Sequence, residues 1–312
     1  MPRILSILFL LVLALTGATA NAEPRQARLG VFVTSVSGVD AADGSFRISG
    51  YLWLVAVGEP LDPQKDIELL ARQANVTPFV TTRLPDGLSY VAAAFDAVVD
   101  KAFDLGSFPF DRQDLTLTIE ARDSSLSLAL VPDQRDSTLS QGIEVAGWDI
   151  VGLRLDPAVQ HYETGFGYRT ANAGFSRVGV TVEVQRSRSP LLIEKFTGFL
   201  VAFIIAAVAL AVPPRELGVR GGMLTGSVFA AVVNRYRLED VIGFDAQFGL
   251  VDQISLITFS ALIVTLALSV RSWRRDGQPE AAKLWQRDRV QEVALLAIHG
   301  ALLLLVILIA MI

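Results

Sequence analysis

The chain has 312 residues, 52% of them hydrophobic, and a mean hydropathy of +0.46, which is more apolar than soluble globular proteins usually are. Its 32 acidic residues outnumber 27 basic ones and its pI lies near 5.2, which argues against a nucleic-acid partner, because phosphate binding needs a basic surface. With no cysteine and only His161 and His299, neither a disulfide scaffold nor a zinc site of the usual N/S ligands is expected, and no cofactor or metal is implied.

The apolar excess is uneven, lying in the first twenty residues and after residue 190. Residues 1–22 read as a signal peptide. Arg3 supplies a short basic region, Ile4 to Leu15 is almost wholly apolar, and Ala20-Asn21-Ala22 has the small-x-small form of a cleavage site. An uncleaved anchor helix is the alternative, and on either reading the following segment is exported. Residues 23–188 are enough for one core. Phe46 to Val57 is rich in aromatic and branched residues and reads as a strand ending at Gly58-Glu59-Pro60; Pro63 to Ala74 could form a helical patch. Leu115, Leu117 and Ile119 alternate with Thr116, Thr118 and Glu120. Leu126, Leu128 and Leu130 alternate with Ser127 and Ala129, and Val178, Val180, Val182 and Val184 with Gly179, Thr181 and Glu183. Period two marks half-buried antiparallel strands. Turn residues punctuate them at Asp43-Gly44, Pro85-Asp86-Gly87 and Asp156-Pro157. The expected fold class is an exported antiparallel β-sandwich, Ig-like, with Trp148 and Tyr162 in its core.

Residues 189–312 read as a transmembrane domain with spans at about 191–212, 220–238, 250–270 and 290–312. Pro213-Pro214 stops the first. The second is weak: Gly221 to Val233 holds three glycines, Thr225 and Ser227. Charge decides that it crosses. Residues 271–289 carry Arg271, Arg274, Arg275, Lys283, Arg287 and Arg289, and the positive-inside rule makes that segment a cytoplasmic loop. From an exported amino-terminal domain, two spans before that loop would leave it outside and three put it inside, so the weak second span crosses as well, and the fourth span then returns the C-terminus to the periplasm. A span this polar faces protein or water; it lines a pore or packs tightly among the other helices.

The run Phe103-Asp104-Leu105-Gly106-Ser107-Phe108-Pro109-Phe110-Asp111-Arg112-Gln113-Asp114-Leu115 resembles the signature loop of the pentameric ligand-gated (Cys-loop) receptor superfamily, with its Phe-Pro-Phe-Asp-x-Gln core. The bracketing cysteines of animal receptors would fall at Lys101 and Leu115 and are absent, as in bacterial members. Arg186 and Arg188 precede the first span, where the family has an arginine. Leu250-Val251-Asp252-Gln253-Ile254 resembles the start of its third span, and Arg220 precedes Asp252 at the family's spacing. The resemblance covers residues 28 to 312. It implies a homopentamer of identical subunits in the bacterial inner membrane, not an enzyme, with a periplasmic sensor opening an axial pore to permeant ions in response to a small ligand or protons.

From Arg220, positions two, six, nine, thirteen and sixteen further on would face the pore: Gly222, Gly226, Phe229, Val233 and Tyr236. That lining lacks the family's polar rings, and the proline usual in the first span is missing, with Gly198 near its place. Phe229 would form an apolar ring able to block ions by dewetting, or else pack on a neighbouring helix. Glu216 at the inner mouth leans toward cations, flanked by Arg215 and Arg220, while Arg235 and Arg237 oppose Glu239 and Asp240 outside. The resemblance implies that Phe108, Pro109 and Phe110 dock on the membrane domain, that Asp111 pairs with Arg188 (or Arg186, two residues earlier), and that Asp252 joins this coupling region. Ligand-site candidates are Trp53, Arg122, Phe166, Tyr168 and Phe175, each with a simple core reading beside it. Glu120-Ala121-Arg122-Asp123, where the family usually has a central aromatic, holds no ring, which argues against an amine box and leaves protons, divalent cations, carboxylates or no small ligand. Two rivals stand beside this reading: a non-conducting pentameric sensor of the same fold, and an anchored enzyme using Asp104, Asp111 and Asp114 as a carboxylate cluster, for which no partner acid or lid is identifiable.

Overall fold

The computed structural model describes residues 23–167, 173–187, 191–243, 248–276 and 281–310, with side chains left aside at 191–193 and 281–288. The expected signal peptide at 1–22, Tyr168 and Arg188 lie outside the described residues.

Ten strands come first: β1 (Arg25–Asp40), β2 (Ser45–Val57), β3 (Ile67–Leu70), β4 (Gln73–Arg83), β5 (Leu88–Asp100), β6 (Arg112–Ser124), β7 (Leu128–Pro132), β8 (Thr138–Leu139), β9 (Trp148–His161) and β10 (Gly174–Arg186). Six form a sheet in the order β4-β5-β2-β1-β7 with β8 also on β1; four form a second in the order β3-β6-β10-β9. Alternation sets the core. Val178, Val180, Val182 and Val184 of β10 pair with β6, whose Leu115, Leu117 and Ile119 point the same way, and all are buried against Leu29, Ile48 and Leu52 of the larger sheet. Each such side chain contributes roughly 1.5–3 kcal/mol.

Five expectations need correction here. Pro63 to Ala74 is a short turn followed by β3 and β4, because its backbone pairs with β6 and β5. Leu126 lies in a turn and is exposed, so its strand begins at Leu128. Asp156-Pro157 is no turn but part of β9, paired with Gly179 and Val178; β9 is an edge strand, where proline's missing N–H can face away from the ladder. The sandwich is not purely antiparallel, since β1 pairs in parallel with both β7 and β8. Tyr162 is not core, although Trp148 is.

Four helices follow: α1 (Leu191–Ala211), α2 (Leu217–Ile242), α3 (Leu250–Arg275) and α4 (Ala281–Ala310). Each is long and apolar enough to cross a membrane. The second is the least apolar of the four. Residues 271–289, read as a loop, belong largely to the ends of α3 and α4. The large exposed side chains of α1, α3 and α4 are mostly aliphatic, among them Leu200, Ile204, Leu256, Ile263, Leu304 and Leu308, as a lipid-facing surface requires.

Candidate functional site

Residues 103–111 leave the sandwich as a loop closed by its own backbone. Phe108 N–H donates to Leu105 O at 3.1 Å and Phe110 N–H to Ser107 O at 2.8 Å, around a cis Phe108–Pro109 bond. An apolar tip facing water requires cover, and the helices supply it. Phe108 and Leu105 are buried in a second apolar cluster with Phe196 and Phe199 of α1 and Leu250, Val251 and Ile254 of α3, and Phe103 and Phe110 pack on it. Leu250 N–H donates to Gly106 O at 2.8 Å. Gly249 approaches so closely that a Cβ there would stand 2.7 Å from that oxygen. The tip of the β1–β2 connection comes near as well, Ala42 facing Gly243 at the end of α2.

Asp111, 1% exposed, is held by Arg186, the second of the two arginines expected to pair with it; Arg188 lies outside the described residues. Arg186 Nε and Nη2 donate to its two carboxylate oxygens at 2.7 and 3.0 Å, Arg186 N–H donates to its carbonyl at 3.0 Å, and Gln113 adds a bond at 3.0 Å. The guanidinium lies between the Phe108 and Trp148 rings, 4.7 and 4.1 Å from their centroids. Register explains the pairing: β10 pairs with β6 up to Gln185↔Arg112, so the next residues to meet are Arg186 and Asp111. Matching the Leu115–Ile119 run against the Val178–Val182 run was the signal in the sequence. Asp252 does not join this pair. It accepts the Gly249 N–H at 2.9 Å, capping α3, and pairs with Arg235 of α2 at 2.8 Å. Nor are Asp104, Asp111 and Asp114 gathered into one site: Asp104 accepts the Gly106 N–H, and Asp114 faces the exposed Arg154 together with Asp156 and Glu183.

Within α2, Gly222, Gly226, Phe229, Val233 and Tyr236 all lie on an exposed face, Phe229 at 71% and Tyr236 at 63%. Leu224, Ser227, Ala231 and Leu238 form the opposite, buried face. Arg220 lies in the first turn of α2, at the start of the second span as expected. It is 1% exposed and turned away from the exposed row, donating to the carbonyls of Leu210 at 3.2 Å and Val212 at 2.6 and 2.9 Å, and lying 3.9 Å from Glu292 of α4. It thereby satisfies the C-terminal carbonyls of α1 that Pro213-Pro214 leave without helical donors. Glu216, just before α2, is exposed and 4.0 Å from Arg215. At the other end Arg235 and Glu239 pair with each other at 3.0 Å, leaving Arg237 and Asp240 exposed.

The ligand-site candidates separate. Phe166 and Phe175 do meet, and both also meet Tyr162, at centroid distances of 5.3 to 6.2 Å with steep interplanar angles. The Tyr162 hydroxyl donates to Glu120, and Arg177 bonds Glu120, Gln160 and Tyr162 while lying 5.6 Å from the Tyr162 ring centroid. Burial, then the bond to Glu120, pushes the Tyr162 phenol above its ordinary pKa. Glu120, Tyr162 and Arg177 were missed as partners; the β9–β10 pairing of His161 with Gly174, which brings the two strand ends together, is what assembles them. Trp53 lies on the other sheet, its ring over Gly30 and its N–H on Asp133 at 3.2 Å. Arg122 turns toward β3, donating to Ile67 O at 3.1 Å beside Glu68.

The fold thus defines a two-sheet, mostly strand domain seated on four apolar helices that could span a membrane. Neither the protein-family models nor the curated proteins compared with the chain give a match.

Proposed function

We propose that the chain is one subunit of a homopentameric ligand-gated ion channel of the bacterial inner membrane. The β-sandwich is the periplasmic sensor, the loop at Phe108–Asp111 couples it to the helices, and α2 lines an axial pore. The observation that carries the reading is the row Gly222, Gly226, Phe229, Val233 and Tyr236. It is spaced as one helical face, exposed in the single subunit, and lies on the least apolar span, opposite a face packed on α1 and α3. Gly222 and Gly226 offer lipid chains little surface beside the aliphatic faces of the other three helices and suit the close approach of another helix or water. The basic ends of α3 and α4 then lie in the cytoplasm, with the C-terminus periplasmic.

A second reading, a non-conducting pentameric sensor of the same fold, draws on the same row, which has no charged side chain and two bulky rings. Two measurements decide. Particle averages of the purified protein in lipid nanodiscs should show five-fold symmetry with α2 innermost; another symmetry, or another helix at the centre, sinks both readings. Bilayer recordings across pH, divalent cations and carboxylates should give unitary currents, and their absence from a confirmed pentamer favours the sensor.

A further inference from the structure

Asn234 is buried on the side of α2 away from the Gly222-to-Tyr236 row. Its carboxamide reaches into the backbone of α1: Oδ1 accepts the Gly198 N–H at 3.1 Å, and Nδ2 donates to Lys195 O at 3.1 Å. One side chain therefore engages both a donor and an acceptor of the neighbouring helix. The approach is open only because residue 198 is glycine; a Cβ there would stand 2.5 Å from Asn234 Cβ and 2.6 Å from its Oδ1. The next residue, Arg235, holds Asp252 at the start of α3, two residues from the Leu250 N–H that bonds Gly106 of the docking loop. Consecutive residues of α2 thus grip α1 and α3. Turning α2 by one residue, about 100°, would withdraw the amide from both α1 partners in a region where polar groups find few others.

We propose that Asn234, with Gly198 as its required counterpart, is the positioning residue that fixes the rotation of α2 about its own axis and so decides which face meets the central space. This rests on the pore reading and goes beyond it, because the row needs a device that keeps it aimed.

The native chain has no cysteine, so the test is direct. Phe229→Cys, Val233→Cys, Val228→Cys and Val232→Cys are made singly in the full-length protein, which is reconstituted in liposomes. Each is reacted with a charged, water-soluble methanethiosulfonate in the native background, with Asn234→Ala, and with Gly198→Ala. The second variant keeps the amide but crowds it, so the result does not depend on one substitution folding. In the native background, positions 229 and 233 should react about tenfold faster than 228 and 232; with either variant the ratio should fall to about threefold or less, the scale of interhelical hydrogen bonds in membranes. A ratio unchanged in assembled variants overturns the assignment and leaves the pore reading standing. No contrast in the native background removes the pore reading and this assignment with it.

Discussion

Asp111→Asn keeps the shape of the side chain and removes its charge, which isolates what the junction owes to one ion pair. Asp111 is 1% exposed and Arg186 14%, with two bonds between them at 2.7 and 3.0 Å. Neutralising the acid leaves a guanidinium between Phe108 and Trp148 with no counter-charge. Breaking a buried pair from one side costs about 3–5 kcal/mol. The two rings still attract the cation, by about 0.5–2 kcal/mol, and its partial exposure admits some water, so the lower end, about 3 kcal/mol, is expected. At roughly 2–4 °C per kcal/mol for a unit of this size, Tm should fall by about 10 °C. Asp114→Asn is the control. It removes one of three carboxylates around Arg154, a pair exposed at 46% and 60%, worth under about 1 kcal/mol. Thermal unfolding of the full-length protein in detergent, followed by tryptophan fluorescence, reads both. If Asp111→Asn melts within the shift of the control, the pair is not shielded and the reasoning is wrong. Asp111→Leu combined with Arg186→Leu should recover much of the loss, since removing both charges leaves neither buried alone.

Phe229→Ser should raise resting conductance in bilayers by wetting an apolar constriction; unchanged current through intact assemblies would count against an axial Phe229. Gly249→Val should lower Tm by several degrees, an overpacking cost of about 1–3 kcal/mol, because its Cβ meets the backbone of Gly106 at 2.7 Å, whereas Gly218→Ala, which meets nothing within 4 Å, should not. Equal melting of the two would mean that the loop and α3 are not in fixed contact. The Ser45 hydroxyl and Arg72 hold Asp43 below the ordinary carboxylate range, and Arg47 does the same for Asp96. Both values are depressed on folding, so the stability they supply is present above the unfolded pKa of about 3.9 and fades as pH falls through the folded values. Tm measured from pH 6 to pH 3 should drop less steeply in Asp43→Asn with Asp96→Asn than in the native protein, and equal slopes would exclude the effect.

What the sequence carried best was whatever repeats locally or obeys a global parity. The valines of β10 and the leucines of β6 point inward as their alternation requires, and charge counting picked out, where hydropathy was weak, a segment that forms the long apolar helix α2. What it hid depends on distant partners. Pro63 to Ala74 has no local mark of two strands, because β3 and β4 exist by pairing with β6 and β5. Pro157 reads as a break until β9 is known to be an edge. That Arg186 meets Asp111 is a matter of register, invisible until β6 and β10 are set side by side. The spacing from Asp252 places Arg220 but gives no sign that the carbonyls at the end of α1 claim it.

The same dependence on partners bears on the ring cluster of the β-domain. The segment Glu120 to Asp123 has no ring, and that absence alone argued against an amine ligand. The folded arrangement gives it a cause. Glu120, 8% exposed, binds Arg177 and accepts the Tyr162 hydroxyl. The face of Tyr162 that would attract a cation therefore already has one, joined to the same chain and neutralised by its own carboxylate. A free amine could take that place only by displacing a guanidinium from a half-buried ion pair. It would exchange one cation–π contact, worth about 0.5–2 kcal/mol, for another while leaving Arg177 and Glu120 to find new partners. The exchange yields no net attraction, so the place that Arg177 takes at Tyr162 offers a free amine no advantage.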